Sequence, residues 1–546
     1  SLIAIPSAYW ISFYNFKGKK TLEWMLVLPL AVPSYIAAMV YSALLESAGP
    51  VQYFIRDIFQ VKYGEYWFPQ IQSIGGMSLV LAFTLYPYLY LLLRAAFMAL
   101  SSQIIESAIS LGVQGNLLFF RLIFPACRPA FIAGLSLVVM ETLADFGVAS
   151  LFGIPVFTTG IYRAWNSFYD PIAAGRIALI LLVFIFTMIW VEKLSRGHRK
   201  YSSLNTTNYL KPKKLNAVVS IYVYIHCLLA IFIGFIIPLI ALGFWSIPNI
   251  NQLIQLDTIE LTSNTLIIST LTSLLVITVA LFTAYAVRNS SNIYIKMCVA
   301  LSNCGYAVPG IVIAVSVLLV LINIQNLFFD GALVLTGTIL GIVWGCTLRF
   351  TTIGFNTLNA GLDQITNQMD EVVSLLGYNS FSRLFRLHIP LLRNSLLVSF
   401  ILVFIETLKE LPATLLLRPF DVNTLAIKVY EYASDEMVEL AAPMGFLMIV
   451  ISIFPTIIFN TKLKFEDQEK SKKKSYFEIV YSTIVKIDNP IKDKEELQKI
   501  ILVDVQNDIY PDLEKSLLDV LHNSGYQNIK FSKKVDFESL YQKRFN

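Results

Sequence analysis

Apolar stretches of about twenty residues alternate with short polar segments from residue 24 to residue 461. Each is long enough to cross a hydrocarbon core of roughly 30 Å. The pattern predicts ten complete spans, near 24–45, 77–99, 130–151, 176–192, 218–245, 264–287, 297–322, 333–356, 394–417 and 441–460. Residues 1–14 read as the tail of another. Any one stretch could be a buried core helix. Ten in series predict an all-α polytopic membrane protein.

One segment of this pattern is written twice. Residues 106–143 (ESAISLGVQGNLLFFRLIFPACRPAFIAGLSLVVMETL) align without a gap with 371–408 (EVVSLLGYNSFSRLFRLHIPLLRNSLLVSFILVFIETL), at an offset of 265 and with 13 of 38 positions identical. Each copy has Glu, then Gly, then Pro at fixed spacing: Glu106, Gly112, Pro125 and Glu371, Gly377, Pro390. Upstream, Ala31-Val32-Pro33 corresponds to Ala307-Val308-Pro309 at an offset of 276, so the first copy carries 11 more residues, placed within 46–70. The expected organisation is a first repeat over 1–192, a polar basic linker over 193–217, a second repeat over 218–461 and a tail over 462–546. By the same symmetry Ser1 aligns near Ile277. The first repeat is therefore expected to be truncated at its N-terminus, with nominally six spans per repeat in the whole protein. The tail (KFEDQEKSKKKS, then KIILVDV and NIKFSKKV flanking an amphipathic stretch) reads as a small α/β module or a fusion scar.

Composition narrows the class. The chain is 56% hydrophobic and 14% charged, which excludes an ordinary soluble enzyme. If the duplicated loops lie inside, inside segments hold 23 Lys and Arg and outside segments 6. The positive-inside rule supports that orientation, with the tail also cytoplasmic. The basic residues follow membrane topology, which argues against a nucleic-acid partner. The five cysteines stand singly, and four scattered histidines make no metal-ligand spacing. Gly18-Lys19 lacks the upstream glycine of a phosphate-binding loop, so nucleotide hydrolysis is not expected of this chain.

The loop pattern E-S-A-I-S-L-G…L-I-F-P and E-V-V-S-L-L-G…L-H-I-P resembles the EAA loop of bacterial ABC-importer permeases. Beyond it, METLADFGVASLFGIPVFTTGIYRAW and IETLKELPATLLLRPFDVNTLAIKVYEYASDE look like the fused, double-length ferric-iron permeases. That resemblance implies a type I ABC importer permease fold in a bacterial inner membrane. It implies two copies of an ABC ATPase subunit carrying ATP and Mg, an extracytoplasmic iron-binding protein, and no cofactor on this chain. The coupling residues it implies are Glu106, Ala108, Gly112, Pro125, Glu371, Gly377 and Pro390. Val372 and Val373 depart from the family's alanines.

The carboxylates belong early in the first short helix, where they complement its dipole. The glycines suit a tight turn. Pro125 and Pro390 mark where the second short helix gives way to the next span. Arg121, Arg128, Arg386 and Arg393 are expected to meet acidic groups or lipid headgroups.

Four further carboxylates, Glu141, Asp145, Glu406 and Glu410, lie at membrane depth near Lys409. Ionisable groups there face a bundle interior or an aqueous path. They are candidates for a translocation path for a hard trivalent cation. Equally, Glu406 could pair with Lys409, and Glu141 with Arg94 or a backbone amide, to hold helices together. Tyr86, Tyr88 and Tyr90 read as packing at a span end. Tyr162, Arg163, Trp165, Arg418 and Asp421 are expected to receive the binding protein. A fused thiamine permease shares this architecture. A secondary transporter or a channel are the readings from other classes.

Overall fold

The computed structural model describes residues 1–100, 102–113, 115–196, 213–290, 292–329, 336–375, 378–453 and 511. Gly377, most of the linker and the tail lie outside the described residues. The chain divides into one unit over Ser1–Leu463 and another over Lys464–Asn546. Among the described residues, the first unit is helical apart from a two-residue parallel pairing of Tyr14-Asn15 with Lys213-Lys214.

Among the described residues, six helices are long and apolar enough to cross a membrane, or up to eight if each of two bent pairs is one span. Two of the ten predicted spans fail that test. Ile339–Leu362 is a full-length helix, but it carries Arg349 and several threonines and asparagines. Val438–Ile453 ends at the last described residue of its stretch.

Within other spans, hydropathy runs across breaks in the helix, several of them made by proline. The stretch at 24–45 is two helices, bent by 88° between Lys19–Ala31 and Ser34–Phe59. Val32, held extended at φ −94° and ψ 113° by the following Pro33, makes the corner. Val308 does the same before Pro309, separating Ile293–Ser302 from Gly310–Phe329. At 130–151 the helix stops at Ala144 and a separate helix, Gly147–Leu151, follows. At 394–417 it stops at Lys409, and Pro412–Leu417 follows.

Elements recur at the sequence offset. Ser102–Ser110 and Asn367–Leu375 are both nine-residue helices 265 apart. Gly115–Leu118 and Ser380–Arg383 follow at the same spacing. Then come two π-turns, Phe119–Ile123 and Leu384–His388. Each π-turn ends two residues before a proline, Pro125 or Pro390, and so does a third, Phe232–Ile236, before Pro238. Proline has no N–H for the carbonyl four residues back, and the chain slips to an i→i−5 bond just ahead of it. Phe124 N–H thus donates to the Phe119 carbonyl, and Ile389 N–H to that of Leu384.

Pro125 therefore does not end a helix, as the sequence suggested. Gly115–Ala144 runs on for 30 residues. In the second copy the helix does break, at Leu392, with a bend of 75° between Ser380–Leu391 and Arg393–Lys409.

The helix after each loop packs against the helix before it. Gly134 lies so close to the preceding helix that a Cβ there would stand 2.7 Å from Leu89 Cδ1 and 3.1 Å from Leu89 Cα. At the equivalent contact the sizes are exchanged: Gly354 faces Ser399, with 3.4 Å between a built Cβ and Ser399 Oγ. Small residues let membrane helices approach closely where no hydrophobic effect drives them together.

Gly134→Val should lower the melting temperature of the detergent-purified protein, since overpacking costs about 1–3 kcal/mol. Adding Leu89→Gly should restore most of the loss, because the double variant approaches the Gly354–Ser399 pairing. No rescue would mean that this contact does not set the helix spacing.

Candidate functional site

Each helix that follows a duplicated loop ends in an acidic turn, METLAD or IETLKE. A short helix begins at once on Gly147 or Pro412. The last carboxylate of each turn caps that short helix. Asp145 Oδ1 accepts from the Val148 and Ala149 amides at 3.0 and 3.3 Å. Glu410 Oε1 accepts from the Ala413 amide at 3.0 Å.

Their second partners differ. Ser34 Oγ donates to Asp145 Oδ2 at 2.8 Å. In the other half Gly310 stands in the place of Ser34, and Arg349 Nη1 donates to both Glu410 oxygens at 2.8 and 2.7 Å. A Cβ on Gly310 would overlap both Glu410 and Arg349, so the glycine makes the room this ion pair occupies. Both charged side chains are almost fully buried, 7% and 4% exposed. A pair this enclosed holds only while both partners are present.

Glu406 Oε1 accepts from Lys409 Nζ at 3.2 Å and from the Tyr88 hydroxyl at 3.3 Å. Lys409 Nζ also donates to the Leu30 carbonyl at 3.2 Å. Glu141, the counterpart of Glu406, has the Tyr306 hydroxyl as its neighbour. Glu141, Asp145, Glu406 and Glu410 all line one cavity of about 110 Å³, together with Arg349 and Lys409. The structure thus brings together the four carboxylates singled out in the sequence. It forms the Glu406–Lys409 pair and not a Glu141–Arg94 pair, because Arg94 is bonded to Glu23. Tyr90 packs in the core and donates to the Glu23 carbonyl at 3.2 Å, whereas Tyr88, grouped with it in the sequence, reaches the cavity. Arg349, Ser34, Gly310 and Tyr306 were not singled out. An arginine within an apolar stretch was the one legible signal among them.

At the duplicated loops, Gly112 sits at φ +83° and closes the first short helix. Val113 N–H reaches the Ala108 carbonyl and Gly112 N–H that of Ile109, both at 3.0 Å, a Schellman closure. In the second copy Tyr378 N–H bonds the Val373 carbonyl at 3.4 Å, the equivalent pair. Glu106 and Glu371 are exposed. Each is the fifth residue of its helix, mid-helix rather than in the first turn, so the dipole argument for them does not hold. Ala108 packs inward against the core. Pro125 and Pro390 are exposed. Ile104 and Met369 (48% and 47% exposed) and Phe120 and Phe385 (68% and 49%) are exposed apolar side chains at matched positions of the two copies. Arg386 is turned back on its own loop, donating to the Tyr378 hydroxyl at 2.9 Å.

The two loops are anchored by different chemistry. Asp370 accepts from Arg288 Nε and Nη2 at 3.0 and 2.7 Å. Arg383 Nε lies 3.9 Å from Asp370, and His388 Nε2 2.7 Å from it. Arg288 also ties down the Leu362 and Ile365 carbonyls, at 2.5 and 2.8 Å. At the corresponding positions the first copy has Ser12 for Arg288, then buried Ile105, Leu118 and Ile123. One loop is held by an ionic cluster and the other by an apolar one.

Of the residues expected to receive a binding protein, Arg163 and Asp421 are exposed. Tyr162 instead packs on Phe146 with ring centroids 5.0 Å apart, Trp165 packs against the core, and Arg418 pairs with Glu431 at 2.8 Å.

Residues 1–200 match the family of binding-protein-dependent transport system inner membrane components. Over most of its length the chain is similar to named ferric permeases. It is 27% identical to the Fe(3+)-transport system permease protein FbpB 2 of Haemophilus influenzae, over 83% of this chain and 85% of that protein. It is 23% identical to the ferric transport system permease protein FbpB of Actinobacillus pleuropneumoniae, over 80% and 64%. A stretch of 87 residues is 55% identical to a Pelagibacter ubique protein named as a putative protein-export protein, SecB, covering 16% of this chain and 62% of that protein. The chain thus spans less than two thirds of the second and third of these relatives.

Asp370→Asn should leave Arg288 and Arg383 facing each other without an anion, a loss on the order of 3 kcal/mol. Hydrogen exchange over residues 367–375 is expected to rise roughly a hundredfold, with residues 102–110 unchanged. Equal exchange in the two loops would show that the ionic cluster anchors nothing.

Proposed function

We propose that this chain is the membrane-spanning permease of an ATP-driven importer, carrying ferric iron from an extracytoplasmic binding protein into the bacterial cytoplasm. The observation that carries the reading is the paired loop. Two exposed helices of equal length, each with a carboxylate at its fifth position and an exposed apolar residue at its third, form a handle presented twice. An exposed apolar patch rimmed by polar groups is a partner surface. The similarity of most of the chain to ferric permeases supports the same reading.

In this reading the fold is that of type I importer permeases, with two pseudo-symmetric repeats and the loops on the cytoplasmic side. Two ATPase subunits dock, one per loop, bringing ATP and Mg. Their closure levers the halves between inward-open and outward-open states, one bistable element biased from two sites. This chain does no covalent chemistry. The four carboxylates and their tyrosine neighbours offer hard oxygen ligands along the path. Arg163 and Asp421 remain available to the binding protein. We assign the 87-residue SecB similarity to the tail, the one long hydrophilic segment of about that length. Its removal after Leu463 should leave import intact.

Proteoliposomes holding this chain, its ATPase and its binding protein should take up radioactive ferric iron, and not thiamine, only when ATP is supplied on the loop side. Gly112→Pro should cut uptake at least about tenfold, while the chain still inserts, because it removes a backbone donor and the left-handed turn, and Gly377→Pro at the equivalent sequence position should do the same. Uptake that persists without ATP would point to a secondary transporter.

A further inference from the structure

The cavity between the halves is electrically uneven. Four carboxylates face two cations, and the two cations are held in different ways. Arg349 is bound through both oxygens of Glu410 and is buried with it. Lys409 is bound by a single contact to Glu406, is 12% exposed, and sits at the end of a flexible four-carbon stem. Its ammonium spans the two halves, bonding Glu406 of the second and the Leu30 carbonyl of the first, each at 3.2 Å.

The fold does not need a cation at that position, because the equivalent residue of the first half is Ala144. Glu141, the partner of Glu406 in the duplication, has no cation within ion-pair distance among the described residues. The lysine thus stands where an incoming cation would have to stand to reach Glu406.

We propose that Lys409 is a tethered counter-ion that closes the passage to monovalent cations and yields only to cargo of higher charge. Sodium or potassium would have to displace an ammonium of equal charge that is already in place and also bonded to Leu30. A trivalent ion is attracted to the same carboxylate about three times as strongly at equal distance and dielectric, and it repels the ammonium as it arrives. Displaced, Lys409 releases the Leu30 carbonyl and with it a bond between the halves, so cargo entry and loosening of the central contact are one event. This rests on the reading of the chain as a ferric-ion permease, but only for the identity of the displacing ion.

The test uses the full chain with its ATPase subunits in proteoliposomes loaded with radioactive sodium and sucrose. Without ATP, Lys409→Ala is expected to release sodium about tenfold faster than the wild type, while sucrose is retained. Lys409→Arg should stay tight. Lys409→Met, which keeps the stem and loses the charge, should leak like the alanine variant and serves if the latter fails to assemble. Sodium retention by the uncharged variants equal to that of the wild type would overturn the proposal. A wild type that is tight to sodium yet moves no ferric ion, beside a leaky Lys409→Met, would sink the cargo assignment and leave the counter-ion role standing.

Discussion

Charge placed between apolar helices has to be compensated on the spot, and that constraint organises the centre of this molecule. In each half the helix that follows the loop ends in an acidic turn, and each acidic turn is neutralised differently. Asp145 is satisfied by a serine hydroxyl and two amides. Glu410 is satisfied by a buried arginine, for which a glycine clears the space. Glu406 takes a lysine and a tyrosine, and Glu141 the neighbouring tyrosine of the opposite half. The bonds from Lys409 to Leu30 and from Tyr88 to Glu406 join the two halves. These polar bonds sit beside an apolar contact between the same halves, in which Val32, Tyr35 and Phe146 share one buried cluster with Ile311, Leu408 and Leu411.

The loops at one end and the acidic turns in the middle are mechanically continuous. From Gly115 a single helix carries the first loop's π-turn, Pro125 and the close contact at Gly134 through to Ala144, one residue before Asp145. A push on the loop therefore reaches the acidic turn along a rod of 30 residues. The second half interposes a 75° bend at Leu392 and anchors its loop through Asp370. One loop leads into an unbroken helix and sits on an apolar seat, and the other leads into a bent pair and sits on an ionic seat. Two identical motor subunits acting on these handles would meet unequal resistance, because an apolar contact slides more readily than a set of directional charge pairs.

Much of this was legible in the residues, and the rest was hidden for physical reasons. The duplication was visible because Glu106, Gly112 and Pro125 recur as Glu371, Gly377 and Pro390, and the acidic residues at depth were visible because charge is rare there. The breaks at Pro33 and Pro309 were missed because a hydropathy window averages across one proline. The position of Glu106 in its helix was misjudged because the helix begins four residues earlier, at Ser102. Arg349 and Asp370 were missed because the copies differ there, with Thr84 and Ile105 as their counterparts, and a search for repetition discards the places where symmetry is broken.

The central claim is that motor subunits move the two loops as paired handles. Spin labels on Ser110→Cys and Leu375→Cys, equivalent exposed positions of the two loop helices, measure it directly once exposed Cys298 has been replaced. In vesicles with the ATPase subunits bound, non-hydrolysable ATP should shift the distance distribution between the labels to shorter values, and nucleotide removal should reverse it. A distribution that is the same with and without nucleotide, in a complex that still hydrolyses ATP, would contradict the account.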